Sequence, residues 1–245
     1  MIFEVHRKAK NNIGDLYCNP SRYFNIDCVS GDVLKNDFQI NDNDLIIGGG
    51  GLIHKKFGTY IENMINSNPR TTTLWGVGHN FGKKHNQYYP KWINKCNLVG
   101  IRDWIDGYHG YYLPCVSCMH DAFDLEYNTL HDVVYYTHAY KTKLTNTIHP
   151  VLSNNELDFY KVIKFLASGD TVITDSYHGA YWAQLLGKNV QVASWSVKFD
   201  HLKHPPVFLN SINDNIIKTK NSIHNFLDEC RDYNIEFYQN FLNLI

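Results

Sequence analysis

A chain of 245 residues with 44% hydrophobic and 14% aromatic residues can bury one large core or two compact ones. Its 23 basic and 24 acidic residues leave a formal charge of −1, and no dense Lys/Arg block is present, so we expect no nucleic-acid partner. No run approaches the roughly 20 apolar residues of a transmembrane helix, and charges come too early for a secretory signal, so we expect a cytoplasmic protein without a transmembrane segment.

Short apolar runs alternate with helical stretches along the chain, which is the pattern of parallel strands joined by crossovers. The sequence therefore predicts an α/β fold. Seven strands are expected, at residues 2–5, 45–47, 73–77, 98–101, 133–136, 172–174 and 190–193. In open α/β sheets, ligands bind beyond the carboxyl ends of the strands. The residues that directly follow these runs are therefore the first candidates for a site.

The same spacing argument predicts the helices. Residues 57–65 and 157–166 carry apolar side chains on one face, and residues 179–187 are apolar on most sides, as in a buried crossover helix. The tail from 223 to 242 is aromatic-rich and helical, and we expect it to pack into the core. Strand character is lost at 128–132 and again at 141–155. The earlier joint is favoured, which divides the chain into α/β halves at 1–130 and 131–245.

Four consecutive glycines, Gly48 to Gly51, follow the second predicted strand. Bare backbone amides can turn toward a phosphate or a carboxylate, and a helix beginning soon afterwards would add its positive end. A tight strand-to-helix crossover needs glycines for packing as well, so both interpretations stay open. The segment lacks the spacing of a dinucleotide fingerprint and the Gly-Lys-Ser/Thr ending of a nucleotide P-loop, so neither cofactor is favoured.

A second polar turn follows the strand at 172–174 and holds Asp175, Ser176, Tyr177 and His178 ahead of a helix. An imidazole in this position meets an arriving ligand, and it can hold an anion or pass a proton near neutral pH. A histidine satisfied by backbone at a helix start is the alternative. Ser176 is not predicted to be a nucleophile, because no Gly-x-Ser-x-Gly elbow surrounds it.

The six cysteines of a cytoplasmic protein are expected to be thiols rather than disulfides. Cys115 and Cys118 have the spacing of zinc ligands. A closed zinc site needs about four ligands, and no second Cys-x-x-Cys pair is present. We therefore predict no metal.

In their order along the chain, these segments resemble the polysaccharide pyruvyltransferases. Residues 12–15, Asn-Ile-Gly-Asp, look like that family's Asn-x-Gly-Asp segment, residues 46–52 look like its glycine loop, and Trp-Gly-Val-Gly-His at 75–79 resembles the next strand and turn. Residues 100–103 are similar to the segment that carries its arginine, here Arg102. The family's most specific block, Thr/Ser-x-Tyr/Leu-His-Gly, resembles residues 174–179, and residues 187–190 with Lys198 resemble its tail.

Two departures from the family pattern stand out. Many members carry an arginine where this chain has Ser176, and the chain is shorter than most relatives. The first departure leaves the identity of the donor open. The second suggests trimmed loops, especially in the half that binds the acceptor.

The resemblance implies a GT-B-like fold, in which two Rossmann-like halves with parallel sheets face a central cleft and C-terminal helices follow. It also implies transfer of pyruvate from phosphoenolpyruvate to a sugar diol of a polysaccharide or its precursor, as a ketal. Phosphoenolpyruvate is then a donor substrate, and no cofactor is expected. The other expected partner is a glycan or a lipid-linked sugar acceptor, which implies a cytoplasmic enzyme, peripheral at the membrane where lipid-linked acceptors are made.

Phosphoenolpyruvate carries a carboxylate and a phosphate, so its site needs several fixed donors and cations. The predicted donor-binding residues are Gly49, Gly50, Gly51, Arg102, Ser176 and Lys198. Ketal formation also needs an acid and a base, and we predict His178 as the acid or phosphate-facing cation and Asp15 or Asp175 as the base. The plainer alternatives are a surface ion pair for Arg102 and a helix cap for Asp15.

Trp75, Trp104, Tyr177 and Trp195 are candidates for a flat face against a sugar ring, although core packing explains such residues more simply. Two other functions stay open. A GT-B-type glycosyltransferase would use a nucleotide sugar and would need an acidic group for the ribose hydroxyls, which the sequence does not clearly offer. A non-catalytic sugar- or anion-binding protein would explain the missing arginine.

Overall fold

The computed structural model describes residues 1–35, 38–82, 89–105, 110–145, 147–218 and 223–245. It is an α/β protein with two parallel sheets and a C-terminal helix, so the prediction of an α/β fold with parallel, Rossmann-like sheets is confirmed. The chain divides into two compact units. Unit 1 comprises Met1–Ala9, Asp15–Ser117 and Cys230–Ile245, and unit 2 comprises Lys10–Gly14 and Cys118–Glu229.

Unit 1 contains a seven-stranded sheet in which every described pairing is parallel. Its strands are β1 (Ile2–His6), β2 (Cys28–Asp32), β3 (Asp44–Ile47), β4 (Gly50–Ile53), β5 (Thr71–His79), β6 (Leu98–Ile101) and β7 (Tyr111–Tyr112). The order is β2-β1-β3-β5-β6-β7, with β4 beside β5. This Rossmann-like order reverses between β1 and β3, which is the topological switch point of the sheet.

Two helices cover this sheet for reasons that the sequence displays. In α2 (Lys55–Asn66), Phe57, Ile61, Met64 and Ile65 are buried on one face, as their spacing predicts. The Nδ1 atom of His54 accepts a hydrogen bond from the Lys56 N–H and caps the helix start. The long C-terminal helix, α5 (Phe226–Leu244), brings residues 230–244 into unit 1.

Trp75 shows why the C-terminal tail belongs to unit 1 rather than to the second half of the chain. Its indole N–H donates to Oδ1 of Asn234 at 3.1 Å, and its ring lies 4.9 Å from Phe237 and 5.8 Å from Phe241. These aromatic contacts bury Trp75 completely. Trp75 is therefore a core residue and not a platform for a sugar ring.

Unit 2 contains a five-stranded sheet whose described pairings are also all parallel. Its strands are β8 (His131–Thr137), β9 (Val151–Ser153), β10 (Gly169–Thr174), β11 (Asn189–Ala193) and β12 (Val207–Leu209). The order is β12-β11-β10-β8-β9, so it reverses between β8 and β10. Two helices pack against the sheet, α3 (Phe159–Ala167) and α4 (Tyr177–Leu185). All nine residues of α4 are buried, which confirms the predicted buried crossover.

The short helices complete the list of elements. They are α1 (Ile13–Leu16) and the 3-10 turns Pro20–Arg22, Lys91–Lys95, Val116–Met119, Asp121–Asp124 and Val197–Phe199. Among the described residues, no helix combines the length and the apolar content needed to cross a bilayer.

The division into units differs from the predicted joint at 130/131, and side-chain contacts explain the difference. The His120 ring stacks on Phe159 at 4.2 Å, and the Tyr160 hydroxyl donates to Asp121 at 2.7 Å. These contacts tie the segment that follows residue 117 to α3 and therefore to unit 2. No strand lies between Tyr112 and His131, so strand patterning could not reveal these contacts.

Candidate functional site

Unit 2 gathers polar residues beyond the carboxyl ends of its strands. Because its described strands all run in parallel, these ends lie along one edge of the sheet. The residues that directly follow the strands are His138, Asn154, Asp175, Ser194 and Asn210. The switch point lies between β8 and β10, where ligands bind in sheets of this type. His138 and Asp175 therefore occupy the expected binding position of unit 2.

Asp175 is held at both carboxylate oxygens and at its backbone carbonyl. The backbone N–H of His138 donates to Oδ1 at 2.6 Å, and the Thr142 hydroxyl donates to Oδ2. The indole N–H of Trp195 donates to the Asp175 carbonyl oxygen at 2.8 Å. We call Asp175, His138, Thr142 and Trp195, together with Lys198, the Asp175 cluster. Such a fixed carboxyl group needs little rearrangement to meet a ligand.

The protonation of Asp175 is set mainly by burial, since the residue is only 4% exposed. Burial raises the pKa of Asp175 from 3.8 to about 6, against the hydrogen bond from His138 and the charge of Lys198, which lower it. The carboxyl group therefore gains and loses a proton close to neutral pH. This property suits a general acid or base.

His138, which the sequence analysis did not select, lies beside this carboxyl group. Burial lowers the pKa of His138 from 6.5 to about 4, and the charges of Lys198 and Lys141 act in the same direction. The Nδ1 atom accepts a hydrogen bond from the Tyr140 N–H at 3.3 Å, which leaves the ring hydrogen of the neutral imidazole on Nε2. Its position directly after a predicted strand was the signal that could have found it.

Two lysines place positive charge at the same edge. The Nζ atoms of Lys198 and Lys141 lie 4.1 Å and 4.9 Å from the centroid of the Trp195 ring. Trp195 therefore binds cations on its face and the Asp175 carbonyl through its N–H, rather than offering an open face to a sugar. Lys198, predicted to bind the donor, is buried with its charge beside Asp175.

Ser176 serves as the N-cap of α4. Its hydroxyl accepts a hydrogen bond from the Gly179 N–H at 3.4 Å, and its own N–H donates to the Thr174 hydroxyl at 3.0 Å. Serine is favoured at this position because it satisfies an N–H group that has no partner within the helix. The hydroxyl thus already has a structural partner, and its predicted contact with a donor remains a prediction.

His178, the second residue of α4, packs closely against a glycine of the Asn-Ile-Gly segment. A Cβ atom on Gly14 would lie 2.1 Å from Nδ1 of His178, so only glycine fits there. The imidazole also contacts Trp182, with the ring centroids 5.1 Å apart. His178 is buried, at the start of a helix, as both the catalytic and the structural interpretation of this residue require.

Asn12 and Asn154 hold this glycine in place. The Asn154 side chain donates from Nδ2 to Oδ1 of Asn12 at 3.1 Å, and its backbone carbonyl accepts from the Ile13 N–H at 3.0 Å. The Gly14 N–H donates to the same Asn12 oxygen at 3.2 Å. The segment Lys10–Gly14 therefore belongs to the edge of unit 2 at which the strands end, although it lies far from that edge in sequence.

In unit 1, the glycine segment lies at the switch point, but two of its amides are already engaged. The Gly48 N–H donates to the Val5 carbonyl at 2.8 Å, and the Gly49 N–H donates to the Cys18 carbonyl at 3.1 Å. Residues Gly50–Ile53 form β4, so no helix begins directly behind the glycines. The Gly49 N–H was predicted to donate to a ligand, but its hydrogen bond to the Cys18 carbonyl already occupies it.

Close packing explains the glycines instead. A Cβ atom at Gly49 would lie 2.7 Å from the Cys18 carbonyl oxygen, and one at Gly51 would lie 2.8 Å from Cβ of Asn80. Gly50 has a φ of 94°, a conformation that other residues rarely adopt. The packing interpretation of the segment therefore accounts for all three positions. Ligand binding by Gly50 and Gly51 remains a prediction.

Arg102 follows β6 and is only 3% exposed, as is Asp103. The alternative of a surface ion pair is therefore wrong. A Cβ atom on Gly78 would lie 2.6 Å from the Arg102 Nε atom and 2.6 Å from Asp103 Oδ1, so this glycine makes room for both side chains. The Asp103 carboxylate also accepts hydrogen bonds from the backbone N–H of His79 at 2.8 Å and from the Nδ1 atom of the His79 ring at 2.7 Å.

The remaining predicted residues have simpler surroundings. Asp15 is half-buried within α1 itself, so it is not placed to cap a following helix, and its carbonyl oxygen accepts from the Cys18 thiol at 3.2 Å. All six cysteines are free thiols. Burial raises the pKa of the Cys115 thiol, which disfavours the thiolate that a metal or a redox reaction requires.

The predicted site residues thus fall into two groups. Asp175, Ser176, His178 and Lys198 belong to unit 2, and Asp15, Gly49, Gly50, Gly51 and Arg102 belong to unit 1. Of the candidate aromatic residues, Tyr177 is buried, whereas Trp104 is exposed. Asp175, the carboxyl group whose pKa is raised to about 6, lies in unit 2.

No protein-family model matches this chain, and no curated protein matches it. A solved structure of a functionally uncharacterized protein from Klebsiella pneumoniae subsp. pneumoniae is similar in fold, with a TM-score of 0.51 and 17% sequence identity. The match covers 78% of this chain and 82% of that chain. At this identity the likeness concerns the fold alone.

Proposed function

We propose that this protein is a polysaccharide (ketal) pyruvyltransferase, which transfers pyruvate from phosphoenolpyruvate to two hydroxyl groups of a sugar. The observation that carries the proposal is the Asp175 cluster. A buried carboxyl group with a pKa of about 6 lies at a topological switch point, beside a neutral imidazole and a lysine. This carboxyl group stands inside residues 174–179, the block with the most specific resemblance to that family.

The charges along this edge suit a small dianionic donor. Lys198 and Lys141 supply two cations, both in contact with the Trp195 ring. The first turn of α4 supplies N–H groups and the positive end of the helix dipole. In the proposal, Arg102 and the glycine segment of unit 1 add donor contacts, as the family resemblance implies. The proposal also includes the GT-B-like arrangement of the two Rossmann-like halves around a cleft.

The reaction needs a proton donor and a proton acceptor. The methylene carbon of phosphoenolpyruvate takes up one proton, which leaves a cation at the carbon that carries the phosphate and the carboxylate. One sugar hydroxyl attacks that carbon and loses its proton, and a second hydroxyl then displaces the phosphate and loses its own. One released proton restores the acid, and the other leaves with the phosphate.

Asp175 fits the acceptor role, because a carboxylate with a pKa of about 6 is largely ionised at pH 7 but still takes up a proton readily. We assign to His178 the role of the acid or of the cation that faces the phosphate. We assign to Asp175 the proton of the attacking hydroxyl, with Asp15 as the alternative acceptor. The acceptor is a glycan or a lipid-linked sugar, handled in the cytoplasm or at the adjoining membrane surface.

A comparison of products tests the proposal. The full-length protein is incubated with a panel of glycans and either phosphoenolpyruvate or a set of nucleotide sugars, and both phosphate and nucleoside diphosphate are measured. Glycan-dependent release of phosphate from phosphoenolpyruvate, with a ketal on the glycan, is the expected result. Release of nucleoside diphosphate would identify a glycosyltransferase, and glycan binding without either product would identify a non-catalytic binding protein.

A further inference from the structure

Unit 2 carries a concave site outside the Asp175 cluster. A cavity of about 550 Å³ lies beyond the carboxyl end of β12. Its lining includes Phe208, Asn210, Asn213, Asp214, Asn215 and Ile217. Ligand pockets commonly enclose about 300–1,000 Å³, so this volume accommodates a small molecule of the size of a sugar.

The loop that forms the cavity is fixed at its base. Leu209 and Ile212 are buried in the core of unit 2, where they pack with Ile173. One carboxylate oxygen of Asp214 accepts the N–H groups of Asn210 and Ser211, at 2.9 Å and 3.0 Å. The loop is therefore tied both to the core and to itself.

The far side of the loop is tied to neighbouring segments. The Gln191 amide donates to the Ile217 carbonyl and accepts from the Ile217 N–H, at 2.5 Å and 3.2 Å. Asn213 accepts the Thr145 N–H at 2.9 Å and donates to the Lys143 carbonyl at 3.1 Å. These bonds pre-form the cavity, so a ligand need not order it.

Several groups in the lining keep unused binding capacity. Within the described part of the chain, the side-chain amides of Asn210 and Asn215 and the second carboxylate oxygen of Asp214 have no hydrogen-bond partner. The Phe208 ring is 44% exposed and contacts no other ring there. Amides and a carboxylate both accept from hydroxyl groups, and the amides also donate to them, while an aromatic face covers the C–H side of a pyranose.

We propose that this cavity is a binding subsite for a neutral pyranose. The carboxylate of Asp214 favours hydroxyl donors and disfavours an anionic sugar. Neither the cluster at Asp175 nor the two lysines beside Trp195 form part of its lining. The ligand class is therefore a neutral glycan, rather than phosphoenolpyruvate or a nucleotide.

The distance between the cavity and Asp175 indicates how long a glycan must be to reach both. β12 is separated from β10 by β11 alone, and neighbouring strands lie about 4.8 Å apart, so the ends of β12 and β10 are roughly 10 Å apart. A pyranose in the cavity thus lies about one further sugar unit away from Asp175. On the basis of the proposed function, the subsite holds the sugar next to the one that receives pyruvate, and the acceptor is at least a disaccharide.

Direct binding measurements test the subsite without relying on catalysis. Saturation-transfer NMR and calorimetry would compare cellobiose, lactose and mannobiose with the methyl glycosides of single sugars. We expect a neutral disaccharide to bind the wild type, with roughly 10-fold weaker binding in Phe208→Ala and about 3-fold weaker binding in Asn215→Ala. Leu242→Ala is the matched control, since Leu242 is also 44% exposed but lies on α5.

The outcomes separate the subsite from the proposed function. Disaccharide binding that the Phe208 and Asn215 substitutions weaken, in a protein that transfers no pyruvate, supports the subsite and overturns the proposed function. Pyruvate transfer with an unchanged acceptor KM and unchanged glycan binding in both variants overturns the subsite alone. A wild-type protein that binds none of these neutral sugars overturns the subsite as well.

Discussion

The two sheets each present one turn at a topological switch point, and the two turns differ in what they leave for a ligand. In unit 1 the turn after β3 is made of glycines, whose first two N–H groups donate to the carbonyls of Val5 and Cys18. In unit 2 the turn after β10 carries Asp175, whose carboxyl group is positioned by donors and lies near a lysine. The glycines of unit 1 therefore allow close packing, whereas the turn of unit 2 presents a carboxyl group with a raised pKa.

The largest effect should follow from removing the acid–base function that we propose for the unit 2 turn. Asp175→Asn keeps an oxygen for the His138 N–H but cannot take up the proton of a hydroxyl group. We expect kcat to fall by about 10²–10⁴-fold, while the variant still folds and unfolds cooperatively. Glycan-dependent phosphate release and thermal unfolding measure the two properties. Turnover within about threefold of the wild type would rule out the assigned role.

The second effect concerns the dependence of stability on pH. The pKa of Asp175 is about 6 in the folded protein, against 3.8 for an unperturbed aspartate such as that of the unfolded chain. Its contribution to stability is therefore full below pH 3.8 and is lost as the pH rises through 6. Relative to the wild type, Asp175→Asn should therefore gain up to about 3 kcal/mol of unfolding free energy between pH 4 and pH 7. Urea unfolding at several pH values measures this difference.

His138 supplies the opposite sign and serves as the internal control. Its folded pKa of about 4 lies below the ordinary 6.5, so its contribution is present above pH 6.5 and is lost as the pH falls through 4. His138→Gln should lose stability relative to the wild type as the pH rises from 4 to 6.5. If the unfolding free energies of the two variants, relative to the wild type, changed with pH in the same way, burial would not be the cause of the two pKa shifts.

A third substitution tests the packing role of the unit 1 turn. In Gly49→Ala the new Cβ atom meets the backbone carbonyl of Cys18, which cannot move aside easily. We expect a loss of about 1–3 kcal/mol in unfolding free energy. Gly82→Ala is the matched control, because among the described residues a Cβ atom there has no neighbour within 4 Å, and its effect should stay below about 0.5 kcal/mol. Equal effects for the two would refute the packing account.

The smallest effect concerns the charge at the edge of unit 2. Lys141 is exposed and lies over Trp195. In the proposed function, its cation assists the binding of the dianionic donor. Lys141→Ala should raise the KM for phosphoenolpyruvate by about 3- to 10-fold at low salt, and the difference should shrink as the ionic strength increases. A KM that is unchanged at low salt would exclude Lys141 from the donor site.

The buried strands could be predicted from the sequence, and the edge strands could not. All seven predicted strands are present as β1, β3, β5, β6, β8, β10 and β11. The strands that were missed include β2, β7, β9 and β12, which lie at the edges of the two sheets. An edge strand is covered on fewer sides, so it needs no continuous apolar run and leaves a weak pattern. The fifth, β4, begins with two glycines, which in the sequence indicate a loop rather than a strand.

Only those residues of the candidate site that stand out in the local sequence could be predicted. Asp175 was found because it follows a buried strand within a polar turn. His138 and Asn154 also follow strands, but their importance depends on which strands are neighbours, and sequence spacing does not reveal that order. The contact between Gly14 and His178 joins segments that are more than half the chain apart. Only the folded structure explains why a glycine is required there.

The most direct test of the central claim is the fate of the solvent proton. Wild-type protein in deuterium oxide, with phosphoenolpyruvate and a disaccharide acceptor, should yield a ketal whose methyl group carries one deuterium, because the acid that protonates the methylene carbon exchanges with solvent. NMR of the product detects this label. Formation of the labelled ketal together with phosphate is the predicted result. No reaction of phosphoenolpyruvate with any glycan acceptor, or a ketal whose methyl group carries no deuterium, would contradict the account.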